Sequence, residues 1–273
     1  MRVWHKKTMK KQAVLAESPL KTESGRSIWQ RLVSPRRRVF AVPDGLRIYA
    51  IGDVHGCHRE LEILLDLIAE DTRKTKRACR LIYLGDYVDR GPASKAVVDR
   101  ILATALQFQT IFLRGNHDQI LLDFLDDPAI YRTWRDIGGR ETLLSYGVVP
   151  SEFDNEQTFC ETRNAFREAL PQPHLEFFRS LHFSAKIGDY FFVHAGVRPG
   201  RSLEEQRTED MLWIRDPFLN SSSDFGAMIV HGHTPSERPM CHANRMGLDT
   251  GAYATGCLTA AVLEDTRFRF LHT

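Results

Sequence analysis

A chain of 273 residues, 42% of them hydrophobic, can bury one sizeable core as a single large domain or two small ones. Its formal net charge of +2 hides a division: Lys and Arg outnumber Asp and Glu by 11 to 3 in residues 1–45, and the remaining 228 residues carry 26 against 32. The first 30 residues lack the apolar run of a signal peptide, no segment approaches 18 consecutive apolar residues, and Cys57, Cys79, Cys160, Cys241 and Cys257 form no Cys-x-x-Cys pair, so a cytoplasmic chain with reduced thiols and no membrane span is expected.

Residues 1–45 mix basic residues with Ser, Pro and a few apolar positions, and include Arg36, Arg37 and Arg38. They read as a basic, partly flexible N-terminal extension, with a docking arm for an acidic partner, nucleic acid or anionic lipid as the alternative. The turn signal Pro43-Asp44-Gly45 closes this segment and opens a catalytic domain over 46–273.

Leu46 to Ile51 reads as a strand that ends in Gly52-Asp53-Val54-His55-Gly56, and apolar residues at 61, 64, 65 and 68 predict a helix behind it. The pattern recurs twice. A strand over Leu81–Leu84 runs into Gly85-Asp86-Tyr87-Val88-Asp89-Arg90-Gly91 and a helix over about 93–106; a strand over Thr110–Leu113 runs into Arg114-Gly115-Asn116-His117-Asp118 and another helix. Three such units predict a parallel sheet with its polar loops along one edge. Residues 128–182 read as a helical insertion over that edge, with no chemistry assigned to any of them. Strand signals return at 183–187 and 190–193, around a Gly188-Asp189 turn, and the second ends in His194-Ala195-Gly196. Further strands end in His231-Gly232-His233-Thr234 and Asp249-Thr250-Gly251. With the last two, over 258–263 and 267–271, they are expected to form a second, mainly antiparallel set. The expected fold is α/β, two mixed sheets flanked by helices.

Two Asp, one Asn and three His at separate strand ends suit a pair of divalent metal ions. Oxygen and imidazole donors without thiolate favour Mn, Fe or Zn over Ca. Two ions about 3.5–4 Å apart would polarise a phosphoryl oxygen and supply a hydroxide, so phosphoester hydrolysis is the natural reaction.

The series Gly-Asp-Val-His-Gly, Gly-Asp-Tyr-Val-Asp-Arg-Gly, Arg-Gly-Asn-His-Asp, His-Ala-Gly and Gly-His-Thr resembles the phosphoprotein phosphatase family of metallophosphoesterases over residues 46–265, and most of all its bacterial and phage branch, which includes the bacteriophage lambda protein phosphatase. The resemblance implies that Asp53 and His55 hold the first metal, Asp86 bridges both, and Asn116, His194 and His233 complete the second, with Mn the expected ion. It implies that His117 protonates the leaving group, that Asp89 orients His117, and that Arg90, Arg215 and Asn116 bind the phosphoryl group. A bridging hydroxide would attack in line, without a phosphoenzyme. Asp118 stands where many members of the family have Glu, a departure that disturbs no implied role.

Several neighbours are read more plainly: His231 as a packing residue, Cys57 as packed under its loop, Arg215 alternatively as a surface ion pair, and Asp249 and Thr250 as hydrogen-bond supports for a ligand histidine. The leading expectation is a serine/threonine protein phosphatase. The alternative is a hydrolase of dinucleoside polyphosphates such as diadenosine tetraphosphate, and a binding module on a dead phosphatase fold comes third.

Overall fold

The structure, a computed structural model, describes residues 38–151 and 153–273. The readings made for residues 1–37 fall outside that range. In chain order the elements are β1 (Leu46–Ile51), α1 (His58–Thr72), β2 (Ala78–Tyr83), α2 (Ser94–Ala105), β3 (Gln109–Phe112), α3 (Asn116–Asp126), α4 (Tyr131–Trp134), α5 (Arg140–Ser145), α6 (Glu156–Ala169) and α7 (Gln172–Ser180). They continue as β4 (Ser184–Ile187), β5 (Tyr190–Val193), α8 (Thr208–Trp213), α9 (Asp216–Leu219), β6 (Met228–His231), β7 (Met240–Cys241), β8 (Arg245–Gly247), α10 (Ala252–Thr255), β9 (Thr259–Glu264) and β10 (Arg267–His272).

Two five-stranded sheets result, ordered β10-β9-β1-β2-β3 and β4-β5-β6-β8-β7. Strand periodicity decides how they stack, because successive side chains leave opposite faces. On β1, Ile48 and Ala50 face Tyr190 and Phe192 of β5 and Met228 and Val230 of β6 between the sheets. Tyr49 and Ile51 face the opposite way, against Leu61, Leu64, Leu65 and Ile68 of α1 and Val97, Val98 and Ile101 of α2. Phe191, Val193 and Ile229 line the outer side of the second sheet, under Met211 of α8 and Phe218 of α9. The central strands are apolar on both faces, as strands covered on both sides must be.

The last two strands differ from the sequence expectation. β9 pairs antiparallel with β1, Ile48 opposite Leu263, and so belongs to the first sheet. The second sheet is parallel through β5, β6 and β8 and antiparallel only at its edges. The physical reason is burial: β9 sends Ala261 and Leu263 into the space between the sheets and Ala260 and Val262 towards the helices, so its apolar faces fit the edge of β1.

The start of the body also lies earlier than Pro43-Asp44-Gly45 suggests. Phe40 and Val42 are buried between the sheets. The Val42 N–H donates to the Asp265 carbonyl at 2.8 Å, the Asp189 N–H to the Ala41 carbonyl at 3.0 Å, and the Ala41 N–H to the Asp189 carboxylate at 2.9 Å. Four residues between an arginine run and a proline are too few to show a strand period.

At the end of α1, Asp71 ties helix to sheet. It accepts the Tyr49 hydroxyl at 2.7 Å and the Arg47 guanidinium at 2.9 Å from β1, and Arg269 of β10 at 2.5 Å. Burial opposes ionisation, yet Tyr49, Arg269 and Arg47 together hold its carboxyl below the usual range. A depressed folded-state pKa stabilises above the unfolded value of about 4 and ceases to do so as pH falls through the folded value. Asp71→Asn is expected to cost about 2 kcal/mol in urea unfolding at pH 7 and much less at pH 3.

Candidate metal centre

The carboxyl ends of the parallel strands of both sheets converge on one point. β1 leads to Asp53 and His55, β2 to Asp86, Asp89 and Arg90, β3 to Asn116 and His117, β5 to His194, and β6 to His233. The backbone there is strained. His55, Asp86, Asp89, Arg90 and His233 have φ of +43°, +53°, +71°, +67° and +64°, and Asp265 is the one other non-glycine residue with positive φ among the described residues. Such conformations are costly and persist only where the surroundings enforce them. Gly115 and Gly232 allow the approach: a Cβ on Gly115 would collide with the Asp86 carboxylate, and one on Gly232 with that of Asp53.

Asp86 is at the centre. Its Oδ2 lies 3.4 Å from Nε2 of both His55 and His194, and its Oδ1 accepts the His117 N–H at 3.0 Å. Both imidazoles are oriented from behind: Nδ1 of His55 bonds the Val88 carbonyl at 2.8 Å, and Nδ1 of His194 bonds the Leu84 carbonyl at 2.9 Å. The proton is thereby placed on Nδ1, and Nε2 presents a lone pair to the centre. Asn116 Oδ1 is 2.9 Å from His194 Nε2 and 2.9 Å from His233 Nδ1. Two acceptors tolerate that separation when a cation lies between them. Asp53 receives the His233 N–H on Oδ2 at 2.9 Å, while its Oδ1, like His55 Nε2, is buried without a partner.

The electrostatics suit a site that takes up positive charge. Burial, with Asp249 and Asp86 nearby, pushes Asp53 well above the usual carboxylate range. Burial lowers His55 to about 3 and His233 to about 2. Burial would also raise Asp86, but His194, His117, His55 and His233 hold it below its ordinary value. Among the described residues, ligating atoms of His55, Asp86 and His117 lie within 4.8 Å of one another, as do those of Asp86, His194 and His233.

His117 is nevertheless engaged on both ring nitrogens. Nδ1 is 2.7 Å from Asp89 Oδ2. Arg90 Nη2 is 3.0 Å from Nε2, and since a guanidinium only donates, Nε2 accepts and Nδ1 carries the proton to Asp89. Burial lowers His117, but Asp86 and Asp89 outweigh it and keep the imidazole above its ordinary value.

The sequence model of the calcineurin-like phosphoesterase family matches residues 46–258. The chain belongs to that family. This phosphoesterase is 27% identical over 237 residues to bis(5'-nucleosyl)-tetraphosphatase PrpE [asymmetrical] of Anoxybacillus flavithermus, a match over 77% of this chain and 87% of the relative. It is 30% identical over 199 residues to the symmetrical bis(5'-nucleosyl)-tetraphosphatase of Cellvibrio japonicus, over 69% of this chain and 58% of the relative. A crystal structure of a putative diadenosine tetraphosphatase superposes with a TM-score of 0.55 at 19% identity, covering 86% of this chain and 98% of that one, which establishes the shared α/β fold of two mixed sheets flanked by helices. The superfamily part of the sequence resemblance therefore holds, whereas these relatives are not protein phosphatases of the lambda type. The family's fold implies a dinuclear divalent metal site, which the orphaned oxygen and imidazole nitrogens fit.

Several residues of the phosphoesterase site escaped the sequence. Trp134 Nε1–H donates to both Asp89 oxygens at 3.0 Å, and the Thr142 hydroxyl donates to Oδ1 at 2.7 Å. The Gly138 carbonyl accepts the Arg90 N–H at 3.2 Å. The helical insertion thus holds Asp89, the partner of His117, and no local pattern marks those positions. Tyr253 lies under the Arg90 guanidinium at 4.7 Å and edge-on to His55 at 5.4 Å. Asp118 accepts the N–H groups of Gly115, Asp86 and Tyr87 at 2.8, 2.9 and 3.1 Å, and burial beside Asp86 raises it to about 7.

Asp249 and Thr250 do not support a ligand histidine. Asp249 Oδ1 accepts the Gly251 N–H, Asp249 Oδ2 is buried without a partner, and the Thr250 hydroxyl donates to the Cys257 carbonyl. Their strand end meets Asp53 rather than an imidazole, because Leu248 packs against Gly52. His231 packs edge-on against Phe218, its Nδ1 beside the Gly232 carbonyl. Cys57 is buried under the loop, its thiol donating to the His55 carbonyl at 3.4 Å. Arg215 is exposed at the rim and donates to the Thr234 hydroxyl at 3.4 Å. The two aspartates of the β2 loop should separate experimentally. Asp86→Asn is expected to abolish Mn²⁺ binding by titration calorimetry, whereas Asp89→Asn keeps the metals and lowers kcat on phenyl phosphate by about 10²-fold.

Proposed function

We propose that this phosphoesterase hydrolyses the polyphosphate bridge of dinucleoside tetraphosphates, the reading placed second to a serine/threonine protein phosphatase on the sequence. The observation that carries it is that the relatives described above bear that activity in their names, one of them matched over 87% of its length. Both substrate classes need the same metal ligands and the same acid, so those motifs could not rank them. The segment Leu212-Trp213-Ile214-Arg215-Asp216 does not rank them either, since the exposed Arg215 fits a polyphosphate as well as a phosphoprotein.

Asp53, His55 and Asp86 would hold one divalent ion, and Asp86, Asn116, His194 and His233 the second. When bound, the ions supply Lewis acidity towards phosphoryl oxygens and lower the pKa of water. The chain's own groups do the rest. Arg90, which caps His117 Nε2 in this structure, turns its fork to the phosphoryl oxygens and frees Nε2 to take up a proton from solvent; the resulting imidazolium, favoured by Asp86 and Asp89, passes that proton to the departing oxygen. Asp89, held by Trp134 and Thr142, keeps the ring aimed and its Nδ1 protonated. Arg215 adds positive charge at the opposite rim, and Asn116 borders the same space. One water is consumed: its oxygen joins phosphorus, the bridging P–O bond breaks, and its protons are shared between the two phosphate products or lost to solvent. Mn²⁺ is the proposed ion, with Fe or Zn compatible with the same donors.

Diadenosine tetraphosphate and a phosphothreonine peptide, each supplied with Mn²⁺, separate the two readings. The expected outcome is cleavage of the dinucleotide in preference to the peptide, loss of activity on chelation, and background turnover by Asp86→Asn. Cleavage of the peptide alone would overturn the proposal, and activity indifferent to chelation would remove the metal from it.

A further inference from the structure

The scissile phosphate of a dinucleotide occupies only the metal centre, so the rest of the phosphate chain and the second nucleoside must lie on adjoining surface. α8 provides a shaped one. Trp213, at its end, remains 44% exposed although its ring stands edge-on to His233, with centroids 6.3 Å apart. The same residue walls a depression of about 330 Å³ together with Arg198, Arg201, Arg207, Glu209, Asp210 and Ile214, a size within the range of small-ligand pockets.

Three arginines against two acids, Glu209 and Asp210, leave the depression net positive. Arg198 is committed to Asp210, with Nε 2.9 Å from both carboxylate oxygens. Asp210 is thereby neutralised, and Arg201 reaches it only at 3.9 Å. Arg207 is exposed and makes no side-chain hydrogen bond or ion pair among the described residues. Two guanidinium groups without short partners therefore line an open space beside an indole whose ring stands against His233 of the metal centre. Forked donors match phosphate oxygens, and an exposed indole offers a face for a nucleobase.

We propose that this depression binds the distal nucleotide of the substrate, with Arg201 and Arg207 on its phosphates and Trp213 stacked on its base. The inference rests on the reading of the centre as a dinucleoside tetraphosphatase, and it names Trp213, Arg201 and Arg207 as determinants of substrate specificity. Phenyl phosphate, which ends at the metal centre, has nothing to place there.

The test compares kcat/KM for diadenosine tetraphosphate and for phenyl phosphate in the full chain loaded with Mn²⁺. For the double variant Arg201→Gln, Arg207→Gln, the ratio of the two should fall about tenfold, through a higher KM for the dinucleotide and a weaker dependence of that KM on salt. Trp213→Leu should lower the ratio by a similar factor, and Trp213→Phe should restore most of it. A ratio unchanged in the double variant overturns the proposal, including the case in which both activities fall together, since the depression would then serve only the fold. Wild type that cleaves the dinucleotide with such an unaffected ratio removes this inference alone. Wild type that does not cleave the dinucleotide removes the reading of the centre with it.

Discussion

The structure turns on the carboxylate of Asp86 and on the means by which it stays ionised away from water. Three backbone N–H groups, from Asp86 itself, Tyr87 and Gly115, are gathered by Asp118, and the Asp86 carbonyl in turn accepts the N–H groups of Val54 and His55. The β1, β2 and β3 loops are thereby tied at one residue, and the imidazoles that meet its carboxylate come from both sheets. Sheet packing sets the position of the centre, and Asp86 sets its charge. A substitution at Asp118 would act on the same carboxylate without touching a metal.

What was legible in the chain was local. β1, β2 and β3 with their following helices could be read because apolar runs change period within a few residues, and the loop motifs sit at the ends of those runs. Asp53, His55, Asp86, Asn116, His194 and His233 were all named from such strand ends, and the structure brings them together. What was hidden was non-local. The partner of β9 depends on which open edge can accept an apolar strand, which lies more than 200 residues away in sequence. Trp134 and Thr142 reach Asp89 because the chain breaks direction at Gly138, whose φ is +116°, and an amphipathic segment gives no sign of which indole will turn inward. Phe40 and Val42 were lost in a basic segment too short to show a period.

The choice between substrate classes was hidden for a different reason. Both candidate reactions demand a cationic centre, a held acid and forked arginines, and chemistry common to two substrates cannot separate them. Selectivity has to come from the walls, where α8 and α10 present Trp213 and Tyr253 at the mouth. Tyr253 is 39% exposed, with Arg90 over its face, so one aromatic is already covered by an arginine, whereas Trp213 is 44% exposed.

The five left-handed residues around the centre bear on how such a protein can be improved. Each would be more comfortable as glycine, and strain of this kind costs about 1–3 kcal/mol per residue. Glycine at His55, Asp86, Asp89, Arg90 or His233 would relieve that strain, but it would orphan the buried donors on Asp86 and Asp89 and remove the side chains proposed as ligands and phosphate clamp. In this fold the strained positions are held by the very contacts that shape the centre, so thermostable variants are better sought in the helical layer and on β10.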